Sequence, residues 1–251
     1  MLITNLKRYK AIAKNVRVYF RDKVVWHKNA SVLMYHSVAD NGEFFTVSPE
    51  SFHWQIKYLK ENNFNVIPLA VLLGLIKNKK KIPPKTVILT FDDGYEDNYI
   101  NVFPILKRFN FPATIFLTTG RIGDKKYTNK RNIKLPMLDW TQIKEMHASG
   151  FIDFEPHTVN HPKLTKINLG QAEEEIISSK EAIEKGLDKK CDFFAYPYGL
   201  YNKEIERVVS KNFSVVLTVR QGFVSRRDNL LNLARNSVDS VTGKLRFKLE
   251  I

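Results

Sequence analysis

The chain has 251 residues, 43% of them apolar, enough for one large domain with a substantial buried core. Its 40 Lys and Arg against 26 acids give a formal charge of +14, which favours an anionic polymer or membrane surface as partner; without an RNA- or DNA-binding motif, nucleic acid is not expected. The single cysteine, Cys191, excludes an internal disulfide and a cysteine-built zinc site, so a metal would need His and carboxylate ligands.

Residues 1 to 25 place Leu2, Leu6, Tyr9, Ala13, Val16 and Phe20 at alternating steps of four and three, with Lys and Arg between them. That is a basic amphipathic helix, suited to packing on a domain or to lying on an anionic membrane surface. No apolar stretch reaches membrane-span length and the N-terminus lacks the apolar core of a secretory signal, so a cytoplasmic or peripheral-membrane location is expected.

From position 32 short apolar runs follow one another: VLMY (32–35), FNVI (64–67), VILTF (87–91), ATIFLTT (113–119), DFFAY (192–196) and FSVVLTV (213–219). Between them the spacing predicts helices over Pro49–Asn62, Asn98–Phe109, Thr141–Ser149, Leu169–Lys185 and Asn202–Lys211, with Gly150 and Gly186 placed as C-caps. Strand–helix alternation with strands apolar on both faces predicts a parallel sheet covered by helices, either a barrel or a doubly wound sheet.

Functional groups in such folds gather where strands end. TFDDG puts Asp92 and Asp93 at the end of an apolar run, where two adjacent carboxylates repel unless something positive sits beside them. A DDG turn alone is ordinary turn chemistry. The segment FEPHTVNHPKL adds His157 and His161, with Pro162 disfavouring helix, so that the imidazoles converge across a compact turn. Two histidines and one carboxylate suit Zn²⁺ or another divalent ion such as Co, Ni or Fe, leaving the second aspartate free to act as a base.

TFDDG, HTVNH and FAYPYG (194–199) together resemble, in order, the three signature motifs of the polysaccharide deacetylases with the NodB homology domain. The resemblance covers roughly residues 30 to 240. It is greatest toward the branch acting on poly-N-acetylglucosamine-like exopolysaccharide, through VLMYHSV and SPESFHWQIKYLKENNFNVIPL. It implies a distorted (β/α) barrel with parallel strands, here a catalytic domain over 31–251 behind an N-terminal helical extension over 1–30. It further implies that Asp93, His157 and His161 bind the metal, that Asp92 is the general base, and that the substrate is an N-acetylated glycan.

Two departures stand out. Ala195 occupies the place of an arginine that orients the base in the wider family, with Arg235 in NLARNSV a candidate substitute, and no histidine follows His161 to serve as the late general acid. His36, directly after VLMY and so at a strand end, is the candidate acid; Tyr35, Pro197, Tyr198 and Arg235 are candidates for the sugar-binding cleft. The expected reaction is metal-dependent hydrolysis of the N-acetyl amide of an N-acetylhexosamine within a glycan. The alternatives are deacylation of a lipid-linked sugar or another acylated amine, and a non-catalytic glycan- or membrane-binding protein on the same fold.

Overall fold

The computed structural model describes residues 29–129 and 131–251; the amphipathic helix expected over residues 1–25 lies outside the described residues, as does the 1–30 extension except for Asn29 and Ala30, which open the first strand. In chain order the elements are β1 (Asn29–Tyr35), β2 (Ser37–Val38), β3 (Thr46–Val47), α1 (Pro49–Glu61), β4 (Asn65–Val66), α2 (Leu69–Lys77) and β5 (Thr86–Asp93). Then come α3 (Phe103–Phe109), entered through a π-type turn at Asn98–Val102, followed by β6 (Ala113–Leu117), α4 (Trp140–Ala148), β7 (Ile152–Pro156) and α5 (Leu169–Leu187). The chain continues with β8 (Phe193–Ala195), α6 (Lys203–Asn212), β9 (Val215–Leu217), β10 (Val224–Ser225), β11 (Asn236–Ser237) and α7 (Lys244–Glu250).

All eight residues of β5 are buried, as expected of a parallel strand covered on both faces. It pairs in parallel with β1 on one side; on the other it meets β4 at its start and β6 along its second half. β7 extends the sheet beyond β6, while β1 meets antiparallel β10 at its start and parallel β11 at its end. The β8–β9 pair reaches the segment just before β11 through a parallel bridge from Leu217 to Leu233.

Side chains bridge β7 and β8. Glu155 Oε2 accepts from the Phe193 N–H at 3.0 Å, and His157 Nδ1 lies 2.7 Å from the Ala195 carbonyl oxygen. The strands thus curl into the expected distorted barrel, with a seam at which backbone pairing is replaced by a carboxylate and an imidazole.

β7 and α2 are absent from the strand and helix patterns legible in the sequence. In IDFEP two acids alternate with apolar residues, which reads as a surface segment; in the fold Lys189 reaches both, donating to Glu155 Oε1 at 2.7 Å, to the Phe154 carbonyl at 2.7 Å and to Asp153. Gly186 is likewise not a C-cap: α5 runs past it and ends on Asp188 in the left-handed conformation. The glycine is there because the Trp140 ring lies against it, 2.3 Å from where a Cβ would sit. No helix among the described residues is long and apolar enough to cross a membrane.

Candidate active site

β5 delivers Asp92 and Asp93 to the barrel mouth, where the chain turns through two left-handed residues, Asp93 at φ 73° and Gly94 at φ 83°. Gly94 is required twice over, since a Cβ there would also fall 2.6 Å from Leu117 Cδ2. The neighbouring carboxylates have separate surroundings.

Asp92 is gripped by Arg235, whose Nη1 and Nη2 each donate to one carboxylate oxygen at 2.7 Å. Arg235 is itself buried and donates through Nε to the Thr218 carbonyl at 2.9 Å. Burial alone would raise the Asp92 pKa, but the guanidinium, with His157 and His36 nearby, holds it well below the usual carboxylate range. Asp92 is therefore an ionised group of low basicity.

Asp93 Oδ2 accepts from the Tyr95 hydroxyl at 2.9 Å. Its other oxygen, Oδ1, is buried without a hydrogen-bond partner and faces His161 Nε2 at 3.5 Å and His157 Nε2 at 4.0 Å. A buried anionic oxygen left bare is costly unless a ligand completes it. Three donor atoms within 4.8 Å of one another need draw in only to about 4 Å or less to share one ion at about 2 Å each, and a set of two imidazoles and a carboxylate suits Zn²⁺. The arrangement fits a divalent cation.

The histidines are prepared for that role. A carbonyl can only accept, so the Nδ1–Ala195 contact puts the proton of His157 on Nδ1 and leaves the Nε2 lone pair directed at the site. Burial lowers the His157 pKa to about 4 and depresses that of His161, despite the opposing aspartates, so both rings are neutral at neutral pH, the form that binds metal.

The turn between them is strained, with Thr158 at φ 71° and His161 at φ 59°. It is held from two sides. Thr119 and Gly120 donate backbone N–H groups to the Thr158 and Val159 carbonyls at 3.1 and 2.8 Å. From α5, Glu175 Oε2 accepts from the Val159 and Asn160 N–H groups at 2.9 and 2.8 Å, while Oε1 takes the Asn160 side-chain amide at 2.7 Å.

These groups open into a cleft of about 300 Å³, whose walls include Met34, His36, Phe45, Tyr127, Tyr198 and Arg121. Of the residues expected to line it, Tyr198 does, half exposed with its ring 4.5 Å from that of His161. Tyr35 does not. Side chains alternate along a strand, so Met34 and His36 face the cleft while Tyr35 points into the core, between Phe52 and Phe91 with its hydroxyl on Gln55. Pro197 is buried outside the cleft wall, and Arg235 stands behind Asp92 rather than in reach of a sugar. Tyr95, Glu175, Arg121 and the Ala195 carbonyl were not singled out from sequence; only Tyr95, two residues beyond Asp93, carries a local hint.

Residues 79–214 match the family model described as polysaccharide deacetylase, more than half of the chain. The chain belongs to the polysaccharide deacetylase family. A Bacillus subtilis relative bearing that family name is 30% identical over 205 residues, 81% of this chain and 69% of its own length. The poly-β-1,6-N-acetyl-D-glucosamine N-deacetylase of Staphylococcus aureus is 35% identical over 175 residues, 66% of this chain; the match spans 58% of that relative. A Streptococcus pyogenes deacetylase solved with acetate superposes with a TM-score of 0.76 at 26% identity, over 88% of this chain and 96% of that one. Within this polysaccharide deacetylase, the guanidinium that grips Asp92 comes from Arg235, in the segment just before β11.

Proposed function

We propose that this polysaccharide deacetylase is a metal-dependent hydrolase that removes N-acetyl groups from N-acetylhexosamine residues of a poly-N-acetylglucosamine-like glycan. The observation that carries the reading is the bare Asp93 Oδ1 facing two neutral imidazoles, immediately beside an aspartate that an arginine keeps ionised. The kinship with the Staphylococcus aureus poly-N-acetylglucosamine deacetylase supports the choice of glycan.

Asp93, His157 and His161 would hold the ion, most suitably Zn²⁺, with Co, Ni or Fe also compatible with the donor set. When bound, such an ion supplies Lewis acidity toward a water and an amide carbonyl. Asp92 accepts the proton of the attacking water; each of its oxygens receives one Arg235 N–H and keeps a lone pair for that purpose. A carboxylate of such low basicity deprotonates only an acidified water, which is why its place next to Asp93 matters. A new C–O bond forms, the amide C–N bond breaks, and His36 in the cleft wall gives a proton to the departing amine, leaving acetate and a free amino sugar.

The decisive measurement is acetate release from β-1,6-linked N-acetylglucosamine oligomers by the full chain loaded with Zn²⁺ or Co²⁺. Release should stop on chelation and return when metal is restored; no acetate with any divalent ion overturns the reading. His36→Ala should lower turnover on the order of 10²-fold at unchanged metal content, and the alkaline limb of the pH–rate profile should move or vanish. An unaltered rate and profile would remove His36 from the mechanism.

A further inference from the structure

Arg121 is a cleft-wall cation whose charge no carboxylate among the described residues matches. It lies half-buried, follows β6, and among the described residues has no carboxylate within ion-pair distance. Three other cations of the site and its neighbouring loop are matched: Arg235 to Asp92, Lys125 to Glu96 and Asp139, Arg131 to Glu43. Its guanidinium is stacked on the Tyr127 ring, 4.5 Å from the centroid, and its one hydrogen bond among the described residues, to the Asn160 carbonyl, is long at 3.4 Å. The stacking orients a planar fork of N–H donors and leaves most of them unused.

The acids of the same cleft are already committed. Asp92 faces Arg235, and Asp93 faces Tyr95 and the histidine pair. Arg121 lines the same cleft as His161 and Tyr95, so its charge stands at the reacting end. Beyond the same rim Lys163 lies 5.4 Å from the Tyr198 ring centroid, exposed and likewise without a carboxylate partner among the described residues. A neutral homopolymer offers these cations hydroxyl and carbonyl acceptors but no counter-charge.

We propose that Arg121 is a specificity-determining residue that receives an oxyanion substituent of the glycan, a phosphodiester or a carboxylate, next to the N-acetylated sugar that enters the metal site. The inference rests on the glycan reading above and narrows it. A guanidinium in this pose takes two oxygens of one anion in parallel, the geometry in which arginine outdoes lysine.

The test compares three forms of a β-1,6-linked N-acetylglucosamine tetramer: unmodified, carrying one phosphodiester, and carrying one succinyl ester. Binding to the metal-stripped full chain is measured by calorimetry at low salt, where no turnover occurs and no bound ion can attract the anion. One or both anionic forms should bind about tenfold or more tightly than the neutral one, and the stronger of the two identifies the substituent. Arg121→Gln should bring the anionic-to-neutral ratio close to one, and Arg121→Lys should restore part of it. Equal affinity for all three tetramers in the native chain, a preference that survives Arg121→Gln, or no measurable binding overturns the proposal. Acetate release from the neutral tetramer by the metal-loaded enzyme separates the outcomes: release without anionic preference removes the role of Arg121 alone, whereas anionic preference without release from any tetramer removes the deacetylase reading.

Discussion

Arg235→Met should destabilise the protein by about 3–5 kcal/mol at neutral pH, the cost of leaving one member of a buried ion pair alone. The pair is fully enclosed, with none of the Arg235 side chain and 3% of that of Asp92 exposed, so solvent screening does not soften the loss. The pH dependence has a definite sign. In the native protein the folded pKa of Asp92 lies below its unfolded value of about 3.9, so the pair contributes stability above that pH, and the contribution is lost as the pH falls through the folded pKa. Without Arg235, desolvation dominates and the folded pKa rises above the unfolded one, so the variant loses stability as the pH rises from about 4. Urea denaturation at pH 5 and pH 8 should therefore show a larger gap between native chain and variant at pH 8. The double variant Asp92→Asn, Arg235→Met should recover much of the stability while remaining inactive. A pH-independent gap, or no gap, would mean that Arg235 is not what keeps Asp92 ionised.

His157→Ala and His161→Ala should each abolish stoichiometric binding of a divalent ion, with acetate release falling roughly 10²–10³-fold or more, the scale of several kcal/mol of Lewis-acid stabilisation. The variants should differ in folding. His157 is buried and its Nδ1 spans the β7–β8 seam to the Ala195 carbonyl, so its removal also costs the protein about 1–3 kcal/mol. His161 lies in the turn beyond the seam with its ring against Tyr198, and its truncation should leave the melting temperature of the metal-free protein nearly unchanged. Asp92→Asn provides the complementary result, retaining metal while losing turnover on the order of 10²-fold. Elemental analysis of metal content beside acetate assays distinguishes these cases; full occupancy in the doubly substituted His157→Ala, His161→Ala chain would sink the metal assignment.

The sequence by itself determined the chemical vocabulary of this deacetylase. Apolar runs ending in DDG, a proline-bounded HTVNH and a lone cysteine restrict a metal to Asp and His, because residue type and strand-end position are local properties. The same locality explains the near misses. Tyr35 and His36 are adjacent in sequence, yet one lies in the core and the other in the cleft wall, since the facing of a strand depends on which side packs against α1. β7 was hidden because its acids look surface-bound until Lys189 arrives from beyond α5. Which aspartate is held by Arg235, 143 residues away, and which is left with a bare oxygen toward two imidazoles, only the tertiary structure decided. The physical reason is that pairing, burial and the resulting pKa are set by neighbours brought together through the curling of the sheet, and two adjacent carboxylates become different groups only when different partners reach them.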